Sequence, residues 1–188
     1  MASDQPGDPP SPRVATHMQG GLGNQLFQYA AGRALAKRLG ARLVLDCTPR
    51  HASDRAFVLD RYSIDAEIVR DAPTKIHRRH FRLPGALGRR LTDAFHDHVP
   101  TTQRIGGHAY KVVGDKQWFR YDPAFKNLSG SVYLTGYWQS YRYFEQVADL
   151  IRDEIRPSRP PSDANRSWLD RIAATNSVCL HVRRGDYL

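Results

Sequence analysis

The chain has 188 residues, of which 40% are hydrophobic and 10% aromatic, so it is long and apolar enough to fold around a core. Its 28 Lys and Arg against 19 Asp and Glu give a net charge of +9, which suits a phosphorylated ligand, nucleic acid or an anionic membrane surface. No apolar run approaches the roughly 20 residues of a membrane span, and the first residues lack the apolar core of a signal peptide. The two cysteines, Cys47 and Cys179, fit neither a disulfide scaffold nor a zinc site. We therefore expect a cytoplasmic protein and leave a peripheral association with membranes open.

The first part of the chain predicts a βαβ unit. Residues 1–13 hold four prolines and predict a disordered leader. A short apolar strand over 14–18 is followed by a glycine turn with the sequence GGLGN. A helix over 25–39 then stops at Gly40, and a second strand occupies 42–46. This order of elements predicts a parallel sheet.

The second part of the chain is less regular. Residues 75–90 carry six cations and no carboxylate, and we interpret them as a solvated basic insertion. The further predicted elements are a strand over 132–135, a helix over 141–155, a proline-rich linker over 156–161, a helix over 164–174 and a buried strand over 177–182. One helix and one strand after the linker make only the beginning of a second α/β unit. We therefore expect the chain to be a fragment of a longer protein.

The glycine turn is the first motif with a chemical meaning. Glycines let the backbone approach a ligand, and the start of a helix offers free N–H groups and the positive end of its dipole. A dinucleotide-binding fingerprint would need a third glycine where Leu26 stands, although Asp46 lies near the position of a ribose-binding acid. Three alternatives follow: a site for an anion or a sugar nucleotide, an NAD(P)-dependent oxidoreductase, or a plain turn that leads into a helix.

A second motif, HVRRGD, stands at the carboxyl end of the last predicted strand, where α/β sheets bind ligands. The adjacent Arg183 and Arg184 can clamp a diphosphate and stabilise charge on a leaving nucleotide. Asp186 can orient an arginine, and alternation along the strand points His181 to the same side as Arg183. A charged loop in solvent is the alternative interpretation.

Three blocks of sequence together resemble the α-1,2-fucosyltransferases of glycosyltransferase family 11 (GT11). They are GGLGNQLFQYAAGRALAKRLGARLVLD, YLTGYWQSYRYFEQVADLIRDEIRP and SVCLHVRRGDYL, in the order of the family. The resemblance implies inverting transfer of L-fucose from GDP-β-L-fucose to the 2-hydroxyl of a terminal galactoside. It also implies a GT-B fold, in which two Rossmann-like domains face a cleft. Residues 14–157 would form the N-terminal, acceptor-side domain, and residues 158–188 the linker and the start of the GDP-fucose-binding domain.

The resemblance implies roles for individual residues as well. Arg183 would contact the β-phosphate with help from Arg184, and Asp186 and His181 would shape that loop. Arg183 and Asp186 are thus the predicted catalytic residues. The residues that match the N-terminal motif, on the opposite side of the cleft, are Gly21, Gly23, Asn24 and Gln25. Without the rest of the C-terminal domain, we expect the 188-residue chain alone not to turn over.

Other features of the sequence carry weaker signals. No Asp-x-Asp pair occurs, and the spacing of the histidines at 77, 80, 96 and 98 fits no metal site, so we expect no metal and no other cofactor. Tyr137, Trp138 and Asp122 are candidates to face the acceptor sugar, although the two aromatic residues are equally typical of a core. A non-catalytic basic module is a third functional class, but its arginines are scattered, and we expect no nucleic-acid partner.

Overall fold

The computed structural model describes residues 11–49, 55–72, 102–116, 119–180 and 182. By its internal contacts the chain divides into two units, residues 1–156 and 157–188, and each is described by itself. Several features singled out in the sequence lie outside the described residues: most of the leader, the basic segment 75–90, the four histidines at 77–98, His181, Arg183, Arg184 and Asp186.

The first unit is a mixed α/β structure around one six-stranded sheet with the order β3-β2-β1-β6-β5-β4. The strands are β1 Arg13–His17, β2 Arg42–Asp46, β3 Glu67–Val69, β4 Thr102–Ile105, β5 His108–Gly114 and β6 Val132–Thr135. All neighbouring strands in this sheet are parallel except β4 and β5, which form an antiparallel pair. The predicted parallel βαβ unit is confirmed, and β1 begins one residue earlier than the sequence pattern indicated.

Helix α1, Leu22–Leu39, covers one face of the sheet. It begins directly after Gly21, three residues earlier than predicted. It ends as predicted at Gly40, whose φ of 59° is left-handed. This geometry brings the N–H of Ala41 to 2.9 Å from the carbonyl oxygen of Ala36, so the end of the helix is satisfied within the chain.

Gly32 lets α1 pack directly against β1 and β2. A Cβ atom at this position would lie 2.3 Å from Thr16 Oγ1 and 3.0 Å from Leu43 Cδ1. The close approach fixes the helix over β1, and this determines where the first turn of α1 meets the end of that strand.

Alternation along the strands divides the core into two clusters. Val14, Leu45 and Leu134 pack on the α1 side of the sheet with Tyr29 and Leu35 of the helix. The cluster on the other face contains Ala15, Val44, Ala72, Ile105, Tyr110 and Tyr133.

The predicted helix over 141–155 is only half right. Two single 3₁₀ turns, Tyr141–Tyr143 and Glu145–Val147, precede a short helix α2, Ala148–Glu154. The adjacent aromatic residues Tyr143 and Phe144 explain why the helix is interrupted, because both rings point inward. Tyr143 packs on Phe125 at a centroid distance of 4.8 Å, and Phe144 packs on Phe27 at 6.0 Å. A continuous helix would turn neighbouring side chains about 100° apart.

The second unit contains helix α3, Asp163–Ala173, one residue earlier than predicted. Ser162 caps it by accepting a hydrogen bond from the N–H of Asn165. The predicted buried strand over 177–182 is wrong for the described part of that range, where Val178 and Leu180 are 94% and 86% exposed. A strand needs a partner for its backbone groups, and no described strand pairs with this segment. None of the described helices is long and apolar enough to cross a membrane.

Candidate active site

The carboxyl ends of β1 and β6 lie side by side at the centre of the sheet. From β1 the chain proceeds to β2 on one side, whereas β6 flanks β1 on the other side. In parallel sheets a crevice opens where the direction of winding changes in this way, and ligands commonly bind there. The candidate site is therefore formed by residues 18–22, which we call the β1 loop, and residues 136–140, the β6 loop.

The β1 loop brings the glycine motif to the first turn of α1. Gly20 has a φ of 77°, and a Cβ there would lie 2.5 Å from Asn24 Nδ2, so this position requires glycine. Gly21 is the N-cap of α1 and offers no capping side chain, and the first turn contains no acidic residue. A Cβ on Gly23 would meet no described atom within 4 Å. The positive end of the helix is thus open to an anionic or hydroxyl-bearing ligand.

Gln25 holds the β1 loop from the inside. Its Nε2 donates to the carbonyl oxygens of Gly20 and Ala56 at 2.9 and 3.0 Å, and its Oε1 accepts from the N–H of Val58 at 3.1 Å. The residue is 1% exposed. The amide of Gln25 therefore orients the glycine turn, and its direct contact with a ligand stays a prediction.

Two further amides connect the β1 loop with the β6 loop. Gln28, which is fully buried, accepts at Oε1 from the N–H of Gln19 at 3.0 Å and donates from Nε2 to the Gly136 carbonyl oxygen at 3.1 Å. Gln139 Nε2 donates to Asn24 Oδ1 at 2.6 Å. The structure thus brings the predicted residues Gly21, Gly23, Asn24 and Gln25 together at one edge and braces them against the β6 loop.

The β6 loop is shaped by an unusual backbone. Gly136 has a φ of 116°, and a Cβ there would lie 2.5 Å from Asp115 Cβ. Trp138 has a φ of 55°, and its N–H donates to Asp115 Oδ2 at 2.9 Å. Its ring is 2% exposed and packs on Phe125 and Tyr143. Trp138 therefore belongs to the core, as one of the two interpretations of the sequence had it, whereas Tyr137 is half-buried.

A buried polar pair lies on the sheet face opposite α1. Tyr133 donates from its hydroxyl to Asp46 Oδ2 at 2.7 Å, and the N–H of Thr48 donates to Asp46 Oδ1 at 3.0 Å. Asp46 is 1% exposed. A carboxylate that the chain itself holds at both oxygens is poorly placed to bind a ribose, and Leu26 stands at the third glycine position. The geometry therefore disfavours the oxidoreductase alternative.

The other candidate groups have structural roles in the described residues. Asp122 accepts a hydrogen bond from the N–H of Ala124 at 2.9 Å and begins the 3₁₀ turn Pro123–Asn127.

Burial raises the pKa of the Cys47 thiol to about 12, so this thiol stays protonated near neutral pH and is a poor nucleophile. Within the described ranges, no three His, Cys, Asp or Glu side chains form a cluster that could hold a metal ion.

Sequence reasoning did not identify three positioning residues of this site: Gln28, Gln139 and Asp115. One signal was available for Gln28, because Gln25 and Gln28 share a helix face on which the other buried residues are mostly apolar. No local pattern links Gln139 to Asn24, since their contact depends on which strands become neighbours in the sheet.

Comparisons with known proteins show which family the chain resembles. Residues 116–188 match the family model of glycosyl transferase family 11. Over 179 residues the chain is 30% identical to an alpha-1,2-colitosyltransferase of Escherichia coli, and the aligned region covers 93% of this chain and 55% of that relative. The chain thus spans about half the length of the curated relative. No solved structure matches the chain significantly.

These similarities, on an α/β fold with a glycine loop at the carboxyl edge of its sheet, relate the chain to glycosyltransferases. The chain is similar to glycosyl transferase family 11, in agreement with the resemblance of the three sequence blocks.

Proposed function

We propose that the protein containing this chain transfers L-fucose, or a closely related deoxy sugar, from its GDP-activated form to a hydroxyl group of a galactoside. The observation that carries the proposal is the family match over residues 116–188, because that range includes the HVRRGD motif. The sheet adds support, since the glycine motif lies at the carboxyl edge where such folds bind ligands.

The donor contacts are assigned to the second unit. Arg183 would hold the β-phosphate and Arg184 would assist, while His181 and Asp186 would fix the shape of the loop. As the bond to the sugar breaks, negative charge grows on the departing GDP, and two fixed guanidinium groups stabilise that charge. This role needs no metal ion, so we expect transfer to continue when divalent cations are removed.

The acceptor side is assigned to the β1 loop. The first turn of α1 offers unpaired N–H groups, and Asn24 presents an amide whose orientation Gln139 fixes. Such groups can orient a sugar hydroxyl towards the reacting carbon. An acceptor oxygen that attacks as GDP leaves inverts the configuration, so a β-linked donor gives an α-linked product. A GT-B arrangement of two Rossmann-like domains is part of the same proposal.

The identity of the transferred sugar is a separate question. The relative from Escherichia coli is named for colitose, whereas the sequence blocks resemble fucosyltransferases. Colitose is a fucose that lacks one hydroxyl group, so one pocket can fit both in shape and still discriminate through a hydrogen bond to that hydroxyl. We propose fucose as the first donor to test and colitose as the second.

The experiment uses the longest natural polypeptide that contains these 188 residues. GDP release is measured with GDP-fucose and with GDP-colitose, with and without lactose, and the linkage of the product is determined by NMR. We expect acceptor-dependent release and an α-linked product. Arg183→Ala should lower the rate by about 100-fold or more, because a preorganised charge partner of the leaving group is lost.

Arg166→Ala is the matched control, since Arg166 is an exposed arginine of α3 in the same unit. It should release GDP at the wild-type rate. GDP release that does not depend on lactose would contradict the proposal, and so would an Arg183→Ala variant as active as Arg166→Ala. If GDP binds but neither donor reacts, the choice of lactose as acceptor is wrong.

A further inference from the structure

A cavity of about 410 Å³ lies on the α1 side of the sheet, within the size range of small-ligand sites. It is lined by side chains from the last turns of α1 and from residues 121–126 and 142–147, and we call it the α1 cavity. Helix α1 rises roughly 15 Å from Asn24 to Ala34, where the cavity begins. The α1 cavity is therefore separate from the β1 loop and takes no part in the site described above.

One wall of the α1 cavity is aromatic. The ring centroid of Tyr143 lies 4.9 Å from that of Tyr121 and 4.8 Å from that of Phe125. The Tyr143 hydroxyl accepts from the N–H of Asp122 at 2.9 Å and donates to the Arg120 carbonyl oxygen at 3.2 Å, so two hydrogen bonds hold the hydroxyl end of this ring. Aromatic rings pack favourably on the C–H face of a sugar ring, and Tyr121, which is partly exposed, presents such a ring at this wall.

The rim of the α1 cavity is cationic. Its charged lining residues are Lys37, Arg38, Lys126 and Arg142. Arg38 is anchored, because its guanidinium donates to the carbonyl oxygens of Phe125 and Leu128 at 3.1 Å each, and Arg142 lies 5.6 Å from the centroid of the Tyr121 ring. Among the described residues, no carboxylate lines the cavity and none forms an ion pair with any of the four cations. The positive charge at this rim is thus available to a ligand.

We propose that the α1 cavity binds an acidic saccharide, meaning a sugar ring that carries a carboxylate, sulfate or phosphate group. The aromatic wall suits the ring, and the rim cations suit the anionic substituent. In the proposed transferase the cavity is a remote acceptor subsite, which holds a sugar away from the reacting hydroxyl; that statement rests on the proposed function, whereas the binding itself does not.

The test is a titration of the 188-residue chain with 3′-sialyllactose and with lactose, followed by calorimetry at low salt and without any donor. The two probes share the lactose part, and only the first carries a carboxylate. We expect lactose to bind at least about tenfold more weakly. The double substitution Lys126→Gln with Arg142→Gln should weaken the binding of sialyllactose by a similar factor. Both side chains are exposed, so the fold should persist, and thermal melting checks this.

The matched control replaces Lys111 and Arg152 by glutamine, which removes the same charge from exposed positions outside the cavity. It should bind sialyllactose as the wild type does. Equal affinity for the two probes, or equal weakening in the control, would overturn the proposal. So would displacement of sialyllactose by GDP, because the cavity would then be a nucleotide site. If sialyllactose binds as expected while Arg183→Ala leaves GDP release by the longer polypeptide unchanged, the proposed transfer fails and this site stands.

Discussion

Gln139 donates a hydrogen bond to Asn24 over 2.6 Å, although 115 positions separate the two residues in the chain. Gln139 belongs to the β6 loop, and Asn24 lies in the first turn of α1, so the contact joins both sides of the crevice at the carboxyl edge of the sheet. Asn24 also crowds Gly20, where a Cβ would lie 2.5 Å from its Nδ2. The orientation of the Asn24 amide is thereby set from two sides.

Energetic coupling between Asn24 and Gln139 is the first expected outcome. We expect Asn24→Ala and Gln139→Leu each to lower the free energy of unfolding by about 0.5–1.5 kcal/mol, because each removes the same hydrogen bond. The double variant should lose clearly less than the sum of the two single losses. Urea denaturation of the four proteins measures this. Asn24→Ala combined with Gln146→Leu is the control pair and should be additive, since Gln146 lines the α1 cavity, which is separate from the first turn of α1.

The close packing of α1 on the sheet makes Gly32 sensitive to a single methyl group. Gly32→Ala would place Cβ at 2.3 Å from Thr16 Oγ1, so either the helix or the strand must move. We expect the free energy of unfolding to fall by about 1–3 kcal/mol from overpacking, even though alanine is the better helix former.

Gly23→Ala is the matched control, because Gly23 lies in the same helix with no described atom within 4 Å of a Cβ. There the helix propensity of alanine acts alone, and we expect a gain of up to about 1 kcal/mol in unfolding free energy. Thermal or urea unfolding separates the two variants. Equal stability of Gly32→Ala and Gly23→Ala would show that α1 does not need the close approach.

A buried ion pair joins α1 to α2. Arg33 donates from Nη2 to Glu154 Oε1 at 2.6 Å and also contacts Asp65, while Tyr29 donates from its hydroxyl to Glu154 Oε2 at 2.6 Å. Burial, together with the hydrogen bond to Glu154, raises the pKa of Tyr29. Glu154→Gln removes the charge that Arg33 needs, and we expect it to lower the unfolding free energy by about 2–4 kcal/mol.

The same helix supplies the control for Glu154. Asp149 pairs with Arg152 at spacing i,i+3, but its side chain is 97% exposed. Solvent screens such a pair, so Asp149→Asn should leave the urea midpoint unchanged. A similar loss in both variants would mean that the charge of α2, and not the buried contact, stabilises the helix.

Local patterns predicted the elements that depend on nearby residues. The β1–α1–β2 unit and the end of α1 at Gly40 follow from a glycine turn, small helical residues and apolar strands, and all of them are confirmed. The helix over 141–155 was overestimated, because Tyr143 and Phe144 pack on partners that are distant in sequence. The strand over 177–182 was wrong for its described residues, since a strand needs a neighbour that no local pattern reveals.

The candidate site was likewise predicted only where it depends on nearby residues. The glycine motif was visible in the sequence, and the structure places Gly21, Gly23, Asn24 and Gln25 at one edge. The hydrogen bonds made by Gln139, Asp115 and Gln28 were not visible in the sequence, because they depend on β6 becoming the neighbour of β1. The assignment of phosphate contacts to Arg183 and Arg184 stays a prediction from the resemblance.

The two cysteines should differ strongly in reactivity. Burial raises the pKa of Cys47 to about 12, whereas Cys179 is exposed. The thiolate is the nucleophile, so at pH 8 iodoacetamide should alkylate Cys179 about 100-fold faster than Cys47, as measured by mass spectrometry of the peptides. Comparable rates at both sites would contradict the burial of Cys47. Unfolding in urea before alkylation should make the rates converge.

The same raised pKa makes the stability depend on pH. The folded state holds the Cys47 proton more tightly than the unfolded chain, whose thiol ionises near its ordinary value of 9.0. Stability from this group is therefore complete below pH 9 and is lost as the pH rises towards 12. Between pH 9 and 10 the loss from this thiol should reach at most about 1 kcal/mol, since the partly exposed thiol is screened, and buried tyrosines with raised pKa, such as Tyr29, add to the decline near pH 10. Cys47→Ala should flatten this decline, Cys179→Ala should leave it unchanged, and an identical slope in both variants would place its origin elsewhere.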